Sequence, residues 1–109
     1  MEMASSKEYM QFILEQLSGL ENVRCRPMMG EYLLYYRGKL AGGIYDNRLL
    51  VKPTPAAAVC LPHAPREVPY PGAREMLLVE IVENREQLEQ LFRSMEPELP
   101  QPKPGKRRR

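Results

Sequence analysis

The chain has 109 residues, 43% of them hydrophobic and 28% charged, which describes one soluble domain with a modest core. Its net charge of +2 hides a division: five of the 16 basic residues, Lys103, Lys106, Arg107, Arg108 and Arg109, fall in the last seven positions, and the body before them is acidic on balance. No apolar run approaches the roughly 18 residues that cross a bilayer, and the first residues lack the basic-then-apolar order of a secretory signal, so a cytoplasmic protein is expected.

Ser5-Ser6-Lys7-Glu8 reads as a capping box, with the Ser5 hydroxyl accepting from the Glu8 amide. Tyr9, Met10, Ile13, Leu14 and Leu17 then recur at helical spacing, and Gly19 suits a left-handed terminator. The pattern changes between Val23 and Lys52. A short strand over Val23 to Arg26 is followed by an aromatic and aliphatic strand from Tyr32 to Tyr36, a turn at Arg37-Gly38, a strand from Leu40 to Tyr45, a tight hairpin at Asp46-Asn47 and a strand from Arg48 to Lys52. Thr54 caps a short helix with Pro55 in its first position. Pro62, Pro65, Pro69 and Pro71 make the next stretch a loop, because each removes a donor and fixes φ. Met76 to Val82 reads as a buried strand. Asn84 to Gln87 is a second capping pattern, after which Leu88, Leu91, Phe92 and Met95 share one helical face. The order predicts an α+β domain over residues 1–96, an antiparallel sheet flanked by helices in the order α-β(3-4)-α-β-α, and a disordered Pro/Lys/Arg-rich tail over residues 97–109.

Alternation adds a finer point. Tyr32, Leu34 and Tyr36 point to one side of their strand and Leu33 and Tyr35 to the other, so both faces of the sheet carry apolar groups. Three modest helices leave part of one face uncovered, which predicts a partner or a second subunit there.

Three segments carry a resemblance to a known family. Arg26-Pro27-Met28-Met29-Gly30-Glu31-Tyr32, Tyr36-Arg37-Gly38-Lys39-Leu40-Ala41-Gly42-Gly43-Ile44 and Leu49-Leu50-Val51-Lys52-Pro53 resemble the N-terminal domain of the TfoX/Sxy competence regulators, and Pro69-Tyr70-Pro71-Gly72-Ala73 followed by Met76 is similar to another stretch of that domain. The resemblance spans roughly residues 5–96 and implies a stand-alone copy of the domain. It implies a fold similar to type III secretion chaperones and a part in regulating competence genes, where family members act with the cyclic-AMP receptor protein. Met28, Met29 and Gly30 are motif positions expected to shape the first hairpin.

The residues announce no catalytic or metal chemistry. His63 is the only histidine, and one His with the distant Cys25 and Cys60 does not make the three or four convergent ligands of a metal site. The two cysteines are expected to be buried free thiols. Ser5, Ser6, Ser18 and Ser94 lack a nucleophile elbow, and Glu80/Glu83 and Glu86/Glu89 are solvated charges. Gly42-Gly43 lacks the lysine and helix of a phosphate loop and marks a bend or a close backbone approach. No enzyme, cofactor or metal is therefore expected. The leading expectation is a regulatory or adaptor domain that binds protein, as a homodimer, through Tyr32, Leu34, Tyr36 and Ile44. Two alternatives stand beside it. One is salt-sensitive nucleic-acid binding by Lys103, Lys106, Arg107, Arg108 and Arg109, with Arg24, Arg26, Arg37 and Arg48 near Tyr32, Tyr35 and Tyr45 either a stacking surface or ordinary packing. The other is a ligand-binding module with a deep polar pocket.

Overall fold

The computed structural model describes residues 5–101. Helix α1 (Lys7–Gln16) leads into four consecutive strands, β1 (Val23–Met28), β2 (Glu31–Tyr36), β3 (Lys39–Tyr45) and β4 (Arg48–Val51). Helix α2 (Pro55–Cys60), the two-residue β5 (Arg66–Glu67), β6 (Met76–Leu78), helix α3 (Arg85–Met95) and a short 3-10 turn (Glu96–Glu98) complete it. The strands form one six-stranded sheet in the order β1-β2-β3-β4-β6-β5, with every neighbouring pair antiparallel. The expected α+β class and the flanking helices are both present.

Three tight turns build the meander. Each holds two consecutive residues at positive φ: Met29 and Gly30 at 53° and 86°, Arg37 and Gly38 at 54° and 83°, Asp46 and Asn47 at 53° and 56°. Such turns match the right-handed twist of the strands they join. Between β2 and β3 the register slips, so that Leu34 faces Gly42 and Tyr35 faces Leu40, leaving Ala41 as an extra residue whose carbonyl accepts from the Lys52 amide at 2.9 Å. The glycine next to it is required: a Cβ on Gly42 would lie 2.1 Å from the Leu50 carbonyl oxygen.

All three helices contribute to one core on one face of the sheet. Ile13 of α1 and its C-cap Leu17, Ala57 of α2 and Leu88, Leu91, Phe92 and Met95 of α3 are fully buried there against Leu34, Ile44, Leu49 and Val51. The capped ends form as the side chains dictate: Thr54 Oγ1 accepts from the Ala57 amide at 3.1 Å, and Asn84 Oδ1 from the Gln87 amide at 3.0 Å. One cation is drawn into this layer. Lys39 Nζ bonds the Glu96 carboxylate at 2.9 Å and the Glu96 carbonyl at 3.1 Å, which holds the Glu96 carboxyl below its ordinary range.

Several local expectations are corrected. The cap of α1 is Ser6, whose hydroxyl accepts from the Tyr9 amide at 3.0 Å, because Ser5 is used elsewhere. Gly19 is not left-handed; its amide donates to the Glu89 carboxylate at 3.1 Å. Strand β1 extends to Met28. Strand β6 stops at Leu78 rather than Val82, since the Asn84 amide turns back to the Ile81 carbonyl at 3.0 Å and starts α3. Within the proline segment, Arg66 and Glu67 pair with the sheet edge, where missing donors are tolerated. The domain also runs past residue 96: Leu99 is buried in the core and Glu98 Oε1 accepts from the Ala56 amide at 2.8 Å, so residues 97–99 belong to the fold and not to a tail. The five tail cations, Lys103, Lys106, Arg107, Arg108 and Arg109, lie outside the described residues.

Candidate functional site

Strand alternation decides what each face offers. Tyr32, Leu34, Tyr36 and Ile44 are brought to one face, with Tyr32 and Ile44 in register, but it is the face the helices cover. Leu34 and Ile44 are 0% exposed, and the Tyr36 ring meets Phe92 edge-on with centroids 6.3 Å apart. Tyr32 is half-buried and packs on the same core. These four residues hold the subunit together, so the expectation that they form a partner surface is overturned. Alternation separates two faces but cannot tell which one the helices take.

The opposite face is the accessible one. It carries Met28 of β1, Leu33 and Tyr35 of β2, Leu40 and Tyr45 of β3, Leu50 of β4, and Met76 and Leu78 of β6. None of the three helices among the described residues lies over it. Leu50 and Tyr45 are buried, while Met28, Leu33, Tyr35, Leu40, Met76 and Leu78 remain half-buried. The proline-rich segment crosses this side and places Tyr70 beside Tyr45 with ring centroids 6.2 Å apart. The Tyr45 ring itself lies against Gly43, where a Cβ would come within 2.7 Å of it. Burial, then the neighbouring Tyr70, push the Tyr45 hydroxyl above its usual range, so it stays a neutral phenol at physiological pH.

The two tyrosines stand at the junction of two connected hollows. One, of ≈ 410 Å³, is floored by Leu33, Leu40, Met28 and Met76 and edged by Lys52, Arg74 and Glu75. The other, of ≈ 490 Å³, runs from Met28 and Tyr45 to Met29, Glu31 and Pro71. Together they form a trough open to solvent. Met29, at the tip of the first hairpin, is 96% exposed, and Tyr70 is 51% exposed. The mouth is pinned by a polar knot: Glu31 Oε1 accepts from Ser5 Oγ at 2.7 Å and from the Asp46 amide at 3.1 Å, Ser5 Oγ accepts from the Asn47 amide at 3.0 Å, and Asn47 Oδ1 accepts from the Ser6 amide at 2.8 Å. This ties the start of α1 to two hairpins.

Titratable groups elsewhere are dispersed. Cys60 ends α2 and is exposed, which corrects the expectation of a buried thiol; Cys25 is half-buried and its thiol is pushed up by burial. His63 lies in a loop, as expected, with Cys60 and Glu80 around a shallow hollow of ≈ 190 Å³. Among the described residues no group of three or more His, Cys, Asp or Glu side chains is arranged to hold a metal ion. No helix among them is long and apolar enough to cross a membrane.

Residues 15–95 match the family model described as the TfoX N-terminal domain, a span that takes in every strand and α3. The chain belongs to that family. It is similar to an uncharacterized 12.7 kDa protein from the trpE 5′ region of Spirochaeta aurantia, 36% identical over 105 residues that cover 95% of this chain and 91% of the relative. No solved structure matches the chain. Of the trough residues, sequence named Tyr45 in a candidate stacking surface and Met28 as a motif position of the first hairpin, but did not single out Leu33, Leu40, Tyr70 or Met76 as a site. The available signals were the second apolar parity of β2 and the tyrosine set between Pro69 and Pro71.

Proposed function

We propose that this TfoX N-terminal domain is a non-enzymatic regulatory or adaptor domain, acting in competence or transcription control by binding protein through the open face of its sheet. One observation supports the reading above the rest: a continuous apolar trough lies on the side without helices, floored by Met28, Leu33, Leu40 and Met76, with the exposed Met29 and Tyr70 beside it. Contiguous apolar surface of this kind is uncommon on a monomer without a role in binding. Methionines suit a surface that adapts to a partner, because their unbranched side chains repack easily. The polar groups at the trough are few, which favours a macromolecule over a small polar substrate. A second copy of the chain, the homodimer expected from sequence, is one form such a partner takes.

The test is site-specific photocrosslinking in the producing cell. A photoreactive phenylalanine analogue at Leu33 or Leu40 is expected to give discrete protein adducts, and the same analogue at the exposed Glu86 of α3 none. Deletion of the gene is expected to change transcript levels of DNA-uptake genes. Adducts equal at all three positions, or absent from the trough, would remove the face from consideration, and unchanged transcripts would remove the regulatory role.

A further inference from the structure

The trough has a charge as well as a shape. Arg24 and Arg26 project from β1 beside it, paired across the strands with Tyr35 and Leu33, and both are exposed. Lys52 and Arg74 line the hollow floored by Leu33, Leu40, Met28 and Met76 directly. Arg24, Arg26, Lys52 and Arg74 form no ion pair among the described residues. Against them stand Glu75 and Glu31, and Glu31 already accepts two hydrogen bonds in the knot at the mouth. On the helical side Glu89 and Glu96 are paired with Arg85, Arg93 and Lys39, while Glu83 and Glu86 form no ion pair among the described residues. Arg24, Arg26, Lys52 and Arg74, four cations without an ion pair among the described residues, thus stand at or beside the open apolar face.

The floor also constrains the occupant's backbone. A sheet face presents side chains, and the sheet's own amides and carbonyls are engaged in its ladder. An extended peptide laid on it would bury backbone groups without partners, a cost that an α-helix avoids by bonding internally. An extended strand would instead add to a sheet edge, which the trough is not.

We infer that the trough binds an acidic amphipathic helix: a segment of a partner protein that sets apolar side chains at helical spacing on Leu33, Leu40 and Met76, with carboxylates facing Arg24, Arg26, Lys52 and Arg74. The inference rests on the protein-binding reading above and names the chemistry of its partner. A second copy of this chain meets the requirement poorly, since a two-fold contact through this face sets one cationic rim against another.

The probe is a displayed library of random peptides of about 16 residues, a helix of about 24 Å, selected against the full chain. Enriched peptides are expected to be net acidic, with apolar residues at i, i+3 or i+4, and i+7, and to gain helical circular dichroism on binding. Their affinity is expected to fall about tenfold in the exposed double variant Arg24→Glu/Arg26→Glu, and severalfold between about 50 mM and about 300 mM salt. Leu33→Ser is expected to abolish binding, with an unchanged thermal melt showing that the fold survives. Leu40→Ser supplies the same test if the first variant does not fold. Neutral or basic peptides that still depend on Leu33 or Leu40 would overturn the acidic-helix inference and leave the protein-binding reading standing. Failure to recover any peptide sensitive to either substitution would overturn both. Two further outcomes would also overturn it: Leu33-dependent binding of a labelled 12-nucleotide single strand in place of peptide, and Leu33-dependent self-association in sedimentation.

Discussion

Leu34 and Leu33 are adjacent on β2, yet Leu34 is completely buried with side chains of α1 and α3 while Leu33 is half-buried at the trough. The same contrast separates Tyr36, stacked edge-on to Phe92, from Tyr35, which faces the open side. On β2 both faces carry leucine and tyrosine, and the contrast between these neighbours comes from what lies over them. Covering removes one set from water and so stabilises the fold. The uncovered set contributes less to folding and leaves apolar area that the proposed partner would bury. On that proposal, stability and recognition are divided between alternate residues of the same strands.

The sharpest way to break this comparison is to truncate both neighbours. Leu34→Ala is expected to cost about 3 kcal/mol in urea unfolding, through lost transfer energy and a cavity beneath the helices. Leu33→Ala is expected to cost less than about 1 kcal/mol, because its side chain is already partly in water. Equal losses would mean that the two faces share the work of folding. Next comes the bulge that shapes the sheet. Gly42→Ala drives a Cβ into the Leu50 carbonyl and is expected to cost about 1–3 kcal/mol in the same assay. A neutral result would show that the bulge can be relieved.

Thiol chemistry sharpens the comparison from another side. Cys25 faces the covered layer, opposite Leu34, and its thiol is pushed up, whereas Cys60 is exposed. Ellman's reagent is expected to label Cys60 about tenfold faster than Cys25, and single Cys→Ser variants assign the two phases. The smallest effect concerns pH. The Glu96 carboxyl is held below its ordinary value of 4.5 first by its hydrogen bond from Lys39. Its contribution is therefore complete above that ordinary value and is lost as acid protonates the folded form. Between about pH 5 and pH 3 the native chain should lose stability more steeply than Lys39→Gln, measured as urea midpoints across that range. Parallel profiles would show that the pair contributes nothing to the covered layer.

Much of this architecture was legible before any coordinates. Local chemistry announced Asp46-Asn47 as a hairpin, Thr54-Pro55 as a helix start and the Leu88, Leu91, Phe92 and Met95 stripe, and each is where it was expected. Those features depend on a residue and its immediate neighbours. What escaped depends on distant parts of the chain. Ser5 is taken from its capping role by Glu31 and Asn47, and the Gly19 amide donates to Glu89. The site itself was half visible. The two parities of β2 could be read, but the side on which α1, α2 and α3 settle is a tertiary fact, and the choice of Tyr32, Leu34, Tyr36 and Ile44 fell on the wrong side for that reason.

The two-residue turns after β1, β2 and β3 have a kinetic consequence. Each strand meets its first neighbour within a few residues, so the first four strands can zip together by small loop closures. The pairing of β4 with β6 is different, since α2 and the whole proline segment must fold back before Leu50 reaches Leu78. That closure, like the meeting of α1 with the start of α3, spans tens of residues and carries a larger loop-closure cost than any of the first three pairings.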